Sequence, residues 1–229
     1  MDKIIAVVYT SDIRDRGDNY ARAIDNAIEQ CAKSIHGCEF HIYGDRPLFN
    51  TDVNIDDILG PSIVRKTRAD YMQRYDCMQA IQILDGLMNA DHNCYDAIIC
   101  ITLQPLKCLV SGIDRVQCGR YSAIIAMKDF NDIYTSSTTF GEQFAPYFVQ
   151  AVARCSGYTG ACDMNVSHDR QCAMASYPYT DGIIGAALRI CGRKILDAKR
   201  PKDPFCKGCT AKLKKIGFWD GPESKVFIH

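Results

Sequence analysis

Ile4 to Tyr9 is an unbroken apolar run close to the start of the chain. Together with the forty residues after it, this run constrains the fold more than any other feature. A polar loop, Thr10 to Gly17, leads into Tyr20, Ile24, Ala27, Ile28, Cys31 and Ile35, which recur at spacings of three and four. That spacing places them on one face of an α-helix, with Asp18 as its expected N-cap. Gly37 ends the pattern, and Cys38 to Tyr43 reads as a second strand. A run that is apolar at every position suits a strand buried on both faces, which is the environment of a parallel strand. Strand, helix and strand together form the unit from which parallel sheets are built.

The pattern continues downstream. A helix is expected from about Thr67 to Met88, with Cys77, Ala80, Ile81, Leu84, Leu87 and Met88 on its apolar face and Gln73, Asp76, Gln79 and Asp85 opposite. Asp96 to Ile101 and Tyr121 to Met127 read as further buried strands. Phe140, Phe144, Tyr147, Phe148, Ala151, Val152 and Cys155 mark a third helix, interrupted early by Pro146. Ile183 to Cys191 predicts a short helix stopped by Gly192, and Val226 to Ile228 a last strand. The expected fold class is α/β, a mostly parallel central sheet flanked by helices in one domain spanning 1–229. Residues 1–104 form its first half and 105–229 a less regular second half.

Charge and apolar content narrow the function. Lys+Arg and Asp+Glu both total 27, so there is no cationic surplus for a general nucleic-acid coat. No segment approaches the roughly 18 apolar residues of a membrane span, and Ile4 to Tyr9 is too short for the apolar core of an export signal. The expected location is cytoplasmic. Thirteen cysteines would suggest a disulfide framework in a short secreted chain. Here the number is odd, and Cys31, Cys77, Cys100, Cys155 and Cys191 fall on predicted apolar faces. They read as reduced, small core residues.

Parallel sheets bind ligands at the carboxyl ends of their strands. That rule singles out Tyr9 to Asp12, Gly44 to Arg46 and Thr102 to Gln104. Neither G-x-G-x-x-G nor G-x-x-x-x-G-K-[ST] occurs, which removes a standard dinucleotide site and a phosphate loop. Cys206-Lys207-Gly208-Cys209 is a C-x-x-C pair. A zinc site needs two more ligands, and Cys191, His168 or His229 would supply them only if folding brought them close. The pair is therefore not taken as a metal site. His168-Asp169 near Cys172 does not form an oriented nucleophile pair in sequence.

The order of segments resembles the GT-A glycosyltransferases. Phe40-His41-Ile42-Tyr43-Gly44-Asp45 is similar to their second strand and its acidic end. Arg65, Lys66, Arg68, Tyr71, Arg74 and Tyr75 are similar to the helix that comes next, and Tyr95-Asp96-Ala97-Ile98-Ile99-Cys100-Ile101 to the strand after it. Ser156 to Gly160, Asp181-Gly182-Ile183-Ile184-Gly185 and Lys225 to His229 resemble later parts of the fringe and β-1,3-galactosyltransferase branch. The resemblance implies transfer of a sugar from a nucleotide-sugar donor to a hydroxyl of a carbohydrate or glycoprotein acceptor. The alternative is a module of GT-A-like or Rossmann-like fold that has lost catalysis and serves binding or structure.

One departure bears on the cofactor. The D-x-D that holds Mn2+ or Mg2+ against the diphosphate is replaced by Thr102-Leu103-Gln104. Asp129 and Asp132 are spaced one residue too far to replace it, so no metal ligand is assigned. The resemblance makes Asp181 the general base, although capping of a helix explains it equally. It places Tyr9, Thr10 and Asp12 against the nucleoside, with Thr102 and Gln104 at the same site. Arg65, Arg68 and Arg74 face the diphosphate, or form a plain solvated helix face, and His229 lies near the diphosphate.

Overall fold

The computed structural model describes residues 2–46, 55–56, 75–90, 95–103, 106–107, 116–127, 137–160, 162, 172–175, 183–197, 205–217 and 222–229. The first unit is the one expected: β1 (Lys3–Tyr9), a short α1 (Ser11–Arg14), α2 (Asp18–Ala32) and β2 (Cys38–Gly44). The N-cap of α2 is Gly17, whose φ of 98° suits glycine, and Asp18 stands in the first turn instead. There its carboxylate still complements the positive end of the helix.

Downstream come β3 (Tyr75–Asp76), α3 (Cys77–Ala90), β4 (Ala97–Thr102), β5 (Leu106–Lys107), β6 (Val116–Cys118) and β7 (Ser122–Ala126). They are followed by α4 (Ser137–Cys155), α5 (Ile183–Leu196), α6 (Lys207–Lys215) and β8 (Lys225–Ile228). The main sheet runs in the order β6-β7-β4-β1-β2-β8. β1 pairs with β2 and β4, β4 with β7, and β2 with β8, all parallel, while β6 is antiparallel to β7. The mostly parallel sheet of an α/β protein is thus present. β3 and β5 form a separate two-residue parallel pair.

Alternation along β1 sorts its side chains onto two faces. Ile5, Val7 and Tyr9 join Ala97, Ile99, Ile101, Ala123 and Ile125 beneath α2, α4 and α5. Ala6 and Val8 join Ile98, Cys100, Ile124 and Ala126 beneath Ala80, Ile81 and Leu84 of α3. Both faces of the central strands are covered, which is why those strands read as continuous apolar runs. Phe140, Phe144 and Phe148 recur every fourth residue on α4 and stack with centroids 5.8 and 5.6 Å apart. All three are fully buried, and each such side chain contributes about 1.5–3 kcal/mol of hydrophobic stabilisation.

Three helix expectations change. Tyr75 and Asp76 are strand, so α3 begins ten residues later than the expected Thr67; residues 67–74 lie outside the described residues. Pro146 sits inside α4, and the helix extends from Ser137 without a break in its assignment. Gly192 does not stop α5, which runs to Leu196. A Cβ at Gly192 would lie 1.8 Å from the Glu142 carbonyl oxygen. The glycine is required because α4 and α5 cross there in backbone contact. No described helix is long and apolar enough to cross a membrane.

Candidate metal centre

The structure brings Cys162, Cys172, Cys206 and Cys209 together, with all four sulfurs within 4.8 Å of one another. Three local devices bring the four sulfurs there. Cys162 comes after the turn that ends α4, where Tyr158 is buried and its hydroxyl meets the Cys209 sulfur at 3.2 Å. Cys172 opens a tight turn, closed by the Ala175 N–H on the Cys172 carbonyl at 2.9 Å. All four residues of that turn, Cys172 to Ala175, are buried. Cys206 is the N-cap of α6, and Cys209 lies one turn in. Leu213 anchors the same helix in the core.

The sulfurs sit among donors. The Cys206 N–H donates to the Cys172 sulfur at 3.3 Å. Partial burial pushes the Cys206 thiol up, but the Cys209 N–H and the thiols of Cys209, Cys162 and Cys172 outweigh it and hold Cys206 below the ordinary cysteine value. A helix N-terminus favours a thiolate for the same reason, because its unpaired N–H groups face the charge. Burial is the largest influence on Cys172 and Cys209: it pushes the Cys172 thiol well up and the Cys209 thiol to about 11.

Four thiols so placed suit zinc. With Zn–S bonds of about 2.3 Å, a tetrahedron has sulfurs about 3.8 Å apart. The Cys162 and Cys206 sulfurs are 3.8 Å apart. The widest pair would close by about 1 Å to complete the tetrahedron. Four cysteines close the coordination sphere, and such a centre holds a fold together and does not expose the metal to substrate. Cys206 and Cys209 are visible in the sequence as a C-x-x-C pair, but the partners considered for them there are the wrong ones. Among the described residues, Cys191 is packed in the core and His229 lies at the sheet edge, beside His41. His168 lies outside the described residues. Nine residues lie between Cys162 and Cys172, and no spacing rule joins them to the C-x-x-C pair in the sequence.

The expected nucleotide site has a different character. Thr10, Asp12 and Thr102 do converge, at the carboxyl ends of β1 and β4. There they satisfy one another. Asp12 accepts from the Thr10 hydroxyl, from the Thr102 hydroxyl at 3.2 Å and from the Leu103 N–H at 3.3 Å. Both threonines are fully buried. Tyr9 donates to the Asp25 carboxylate, and burial together with that carboxylate holds its phenol well above the usual range.

A cavity of about 470 Å³ opens nearby. Arg14 and Arg46 on its lining are balanced by Asp18 and Asp45, and Asp45 takes Arg14 at 3.0 Å. That lining carries no positive surplus for a diphosphate. His229 is two strands away from β1, on the far side of β2. Arg65, Arg68, Arg74, Gln104, Asp129, Asp132 and Asp181 lie outside the described residues.

No family model matches the chain, and no curated protein matches it. Solved structures do. The chain is similar to the archaemetzincin of Methanopyrus kandleri, with 13% identity and a TM-score of 0.54, over 94% of this chain and 95% of that one. It is also similar to a zinc-dependent peptidase of Methanocorpusculum labreanum (strain Z), with 14% identity and a TM-score of 0.53, over 91% of this chain and 99% of that one. At this identity the likeness is one of fold.

These findings correct the glycosyltransferase reading and its alternative of a GT-A-like or Rossmann-like module. The fold neighbours are zinc peptidases, so the nucleotide-sugar donor and the carbohydrate or glycoprotein acceptor lose their basis, while the roles given to Asp181 and the arginines fall on residues outside the described ones. The resemblance rests on short segments in order, and alternating strands and helices supply such segments in many α/β folds.

Proposed function

We propose that this protein is a zinc protein on the architecture of the zinc-dependent peptidases, with one Zn2+ held by Cys162, Cys172, Cys206 and Cys209. The observation that carries this reading is the convergence of four sulfurs from three separate segments, with N–H donors aimed at them. The metal would tie the turn at Cys172 and the start of α6 to the end of the α4 loop. Its binding energy would then be folding energy.

The neighbours' names raise a second reading, that of a metallopeptidase acting on peptides. Such hydrolysis needs an open zinc site, commonly built from H-E-x-x-H on a helix, with two histidines as ligands and the glutamate as base. None of His36, His41, His92 and His168 is followed by glutamate. None of the described helices contains a histidine. The residues do not fit that catalytic metal, and the closed four-thiolate centre offers no open position to replace it. The chemistry favours a structural zinc, and peptides are the ligand class to test first.

Metal analysis of the purified protein decides between the readings. The expected result is one zinc per chain, lost in Cys206→Ser/Cys209→Ser, with a marked drop in the unfolding midpoint on chelation. Quenched-fluorescent peptides are expected to remain uncut. A protein with no zinc whose midpoint ignores chelators would defeat the proposal. Two zinc ions with chelator-sensitive peptide cleavage would establish the peptidase.

A further inference from the structure

Edge strand β8 ends in an unusual contact. Its register pairs Phe227 with His41 and Ile228 with Ile42, and the His229 N–H then donates to the Ile42 carbonyl at 3.0 Å. His41 and His229 therefore project from the same face of the sheet. The His41 Nδ1 and His229 Nε2 atoms are 2.9 Å apart, with ring planes inclined by 17° and centroids 5.1 Å apart. That centroid separation is nearly the nitrogen distance plus two ring radii. The two nitrogens thus point at each other along the line joining the rings, the geometry of an N–H···N hydrogen bond.

Neighbouring rings hold this arrangement. Tyr43 stacks on His229 at 4.7 Å and 14°, and Phe227 lies 4.9 Å from His41. Tyr95 meets His41 edge-on at 5.5 Å, and its hydroxyl bonds the hydroxyl of Tyr43.

We infer that His41 and His229 form a proton-operated latch that fastens the end of β8 to β2 and releases it when the pair takes up its second excess proton. With both rings neutral, one tautomer donates to the other. One added proton leaves a charge-assisted N–H···N bond, which is stronger. A second leaves two donors facing each other with like charge, and the bond is lost.

The other charged and titratable groups near the pair are few among the described residues. Glu39 on β2 favours protonation of His41, but its carboxylate is engaged by Lys225 of β8 at 3.1 Å. Tyr43 and Tyr95 face the pair with their rings. Burial first, and His229 second, lower the affinity of His41 for a proton, against the weaker pull of Glu39. The folded pair therefore binds fewer protons than the unfolded chain below the ordinary histidine value of about 6.5. The latch is fully closed above that value and is lost as pH falls toward the lowered one. Among the described residues β8 has a hydrogen-bonded neighbour on one side only, and Phe227 and Ile228 are already 41% and 57% exposed. Opening would fray His229 and Ile228 and uncover Tyr43.

The test is NMR on the protein as purified. The imidazole signal of His41 should titrate below the ordinary histidine value. Amide protection at Ile228 and His229 should fall at least tenfold between pH 7.5 and pH 5. In His41→Gln, whose amide carries no titrating proton, that pH dependence should vanish. A His41 imidazole titrating at the ordinary value, with unchanged amide protection, would overturn the latch. The wild-type titration decides this even if His41→Gln fails to fold.

Discussion

Cys31 and Cys206 are the same side chain in opposite surroundings. Cys31 lies on the buried face of α2, and burial alone pushes its thiol far above the ordinary value. Cys206 stands at the start of α6 among three other sulfurs and a backbone N–H, and its thiol is held low. In the first case sulfur is a small apolar atom filling space. In the second the surrounding donors ease loss of the proton, and a thiolate is what a metal cation binds. The contrast shows that a cysteine's role is set by what else reaches it in three dimensions. Thirteen cysteines in one chain can therefore include both kinds.

The largest expected effect tests the anionic half of this contrast. Zinc binds thiolate, so binding must expel the protons that apo thiols carry. Burial keeps Cys172 and Cys209 protonated in the apo protein at neutral pH, the latter up to about 11. At least two protons should therefore leave on zinc binding. The affinity should fall roughly 100-fold for each pH unit of acidification, equivalent to about 2.7 kcal/mol. Bound zinc is thus favoured as pH rises and lost as it drops. Calorimetry in buffers of different ionisation enthalpy counts the protons. A count of zero would mean that the sulfurs are not the ligands.

How much of the molecule is legible in the sequence depends on whether a signal is local. Burial leaves a local trace. Ile4 to Tyr9, the spacing on α2 and the run at Ala97 to Ile101 announce their strands and helix because each residue's environment repeats along the element. Convergence leaves none. Nine residues separate Cys162 from Cys172, and thirty-three more separate Cys172 from Cys206, so no spacing rule joins them. Asp85 makes the same point. Its spacing puts it on the polar face of a helix, yet its carboxylate accepts from the Arg120 and Tyr121 N–H groups and the Ser122 hydroxyl at 2.7–3.0 Å. Gly192 reads as a stop because glycine commonly ends helices; here the helix opposite leaves no room for a Cβ.

A second prediction concerns the site that the sequence favours. Asp12 is expected from the sequence to hold a nucleoside, and its hydrogen bonds instead join the ends of β1 and β4. Asp12→Ala would remove the carboxylate that accepts from the Thr10 and Thr102 hydroxyls and the Leu103 N–H, leaving Thr10 its bond to the Ile101 carbonyl at 3.3 Å, and losing hydrogen bonds to a charged group costs about 1.5–3 kcal/mol. Chemical denaturation should show a loss in that range, with zinc content unchanged. Reduced zinc content would mean that the two regions are coupled. Unchanged stability would mean that water replaces the carboxylate without cost.

The smallest effect tests the apolar half of the contrast. Cys31→Ala removes one sulfur from a fully buried site with no charged partner. The loss should resemble that of one buried methylene, about 0.8 kcal/mol plus a small cavity cost. Zinc stoichiometry should stay at one per chain, and its pH dependence should not move. In the zinc-free protein, iodoacetamide should label Cys206 before Cys31, because the thiolate is the nucleophile and Cys206 combines a lowered thiol with partial exposure. Zinc should suppress that labelling and leave the slow reaction of Cys31 as it was. If Cys31→Ala lost metal, or if zinc protected Cys31 as well, the two kinds of cysteine would not be separate, and the metal would be holding the core on α2 in place.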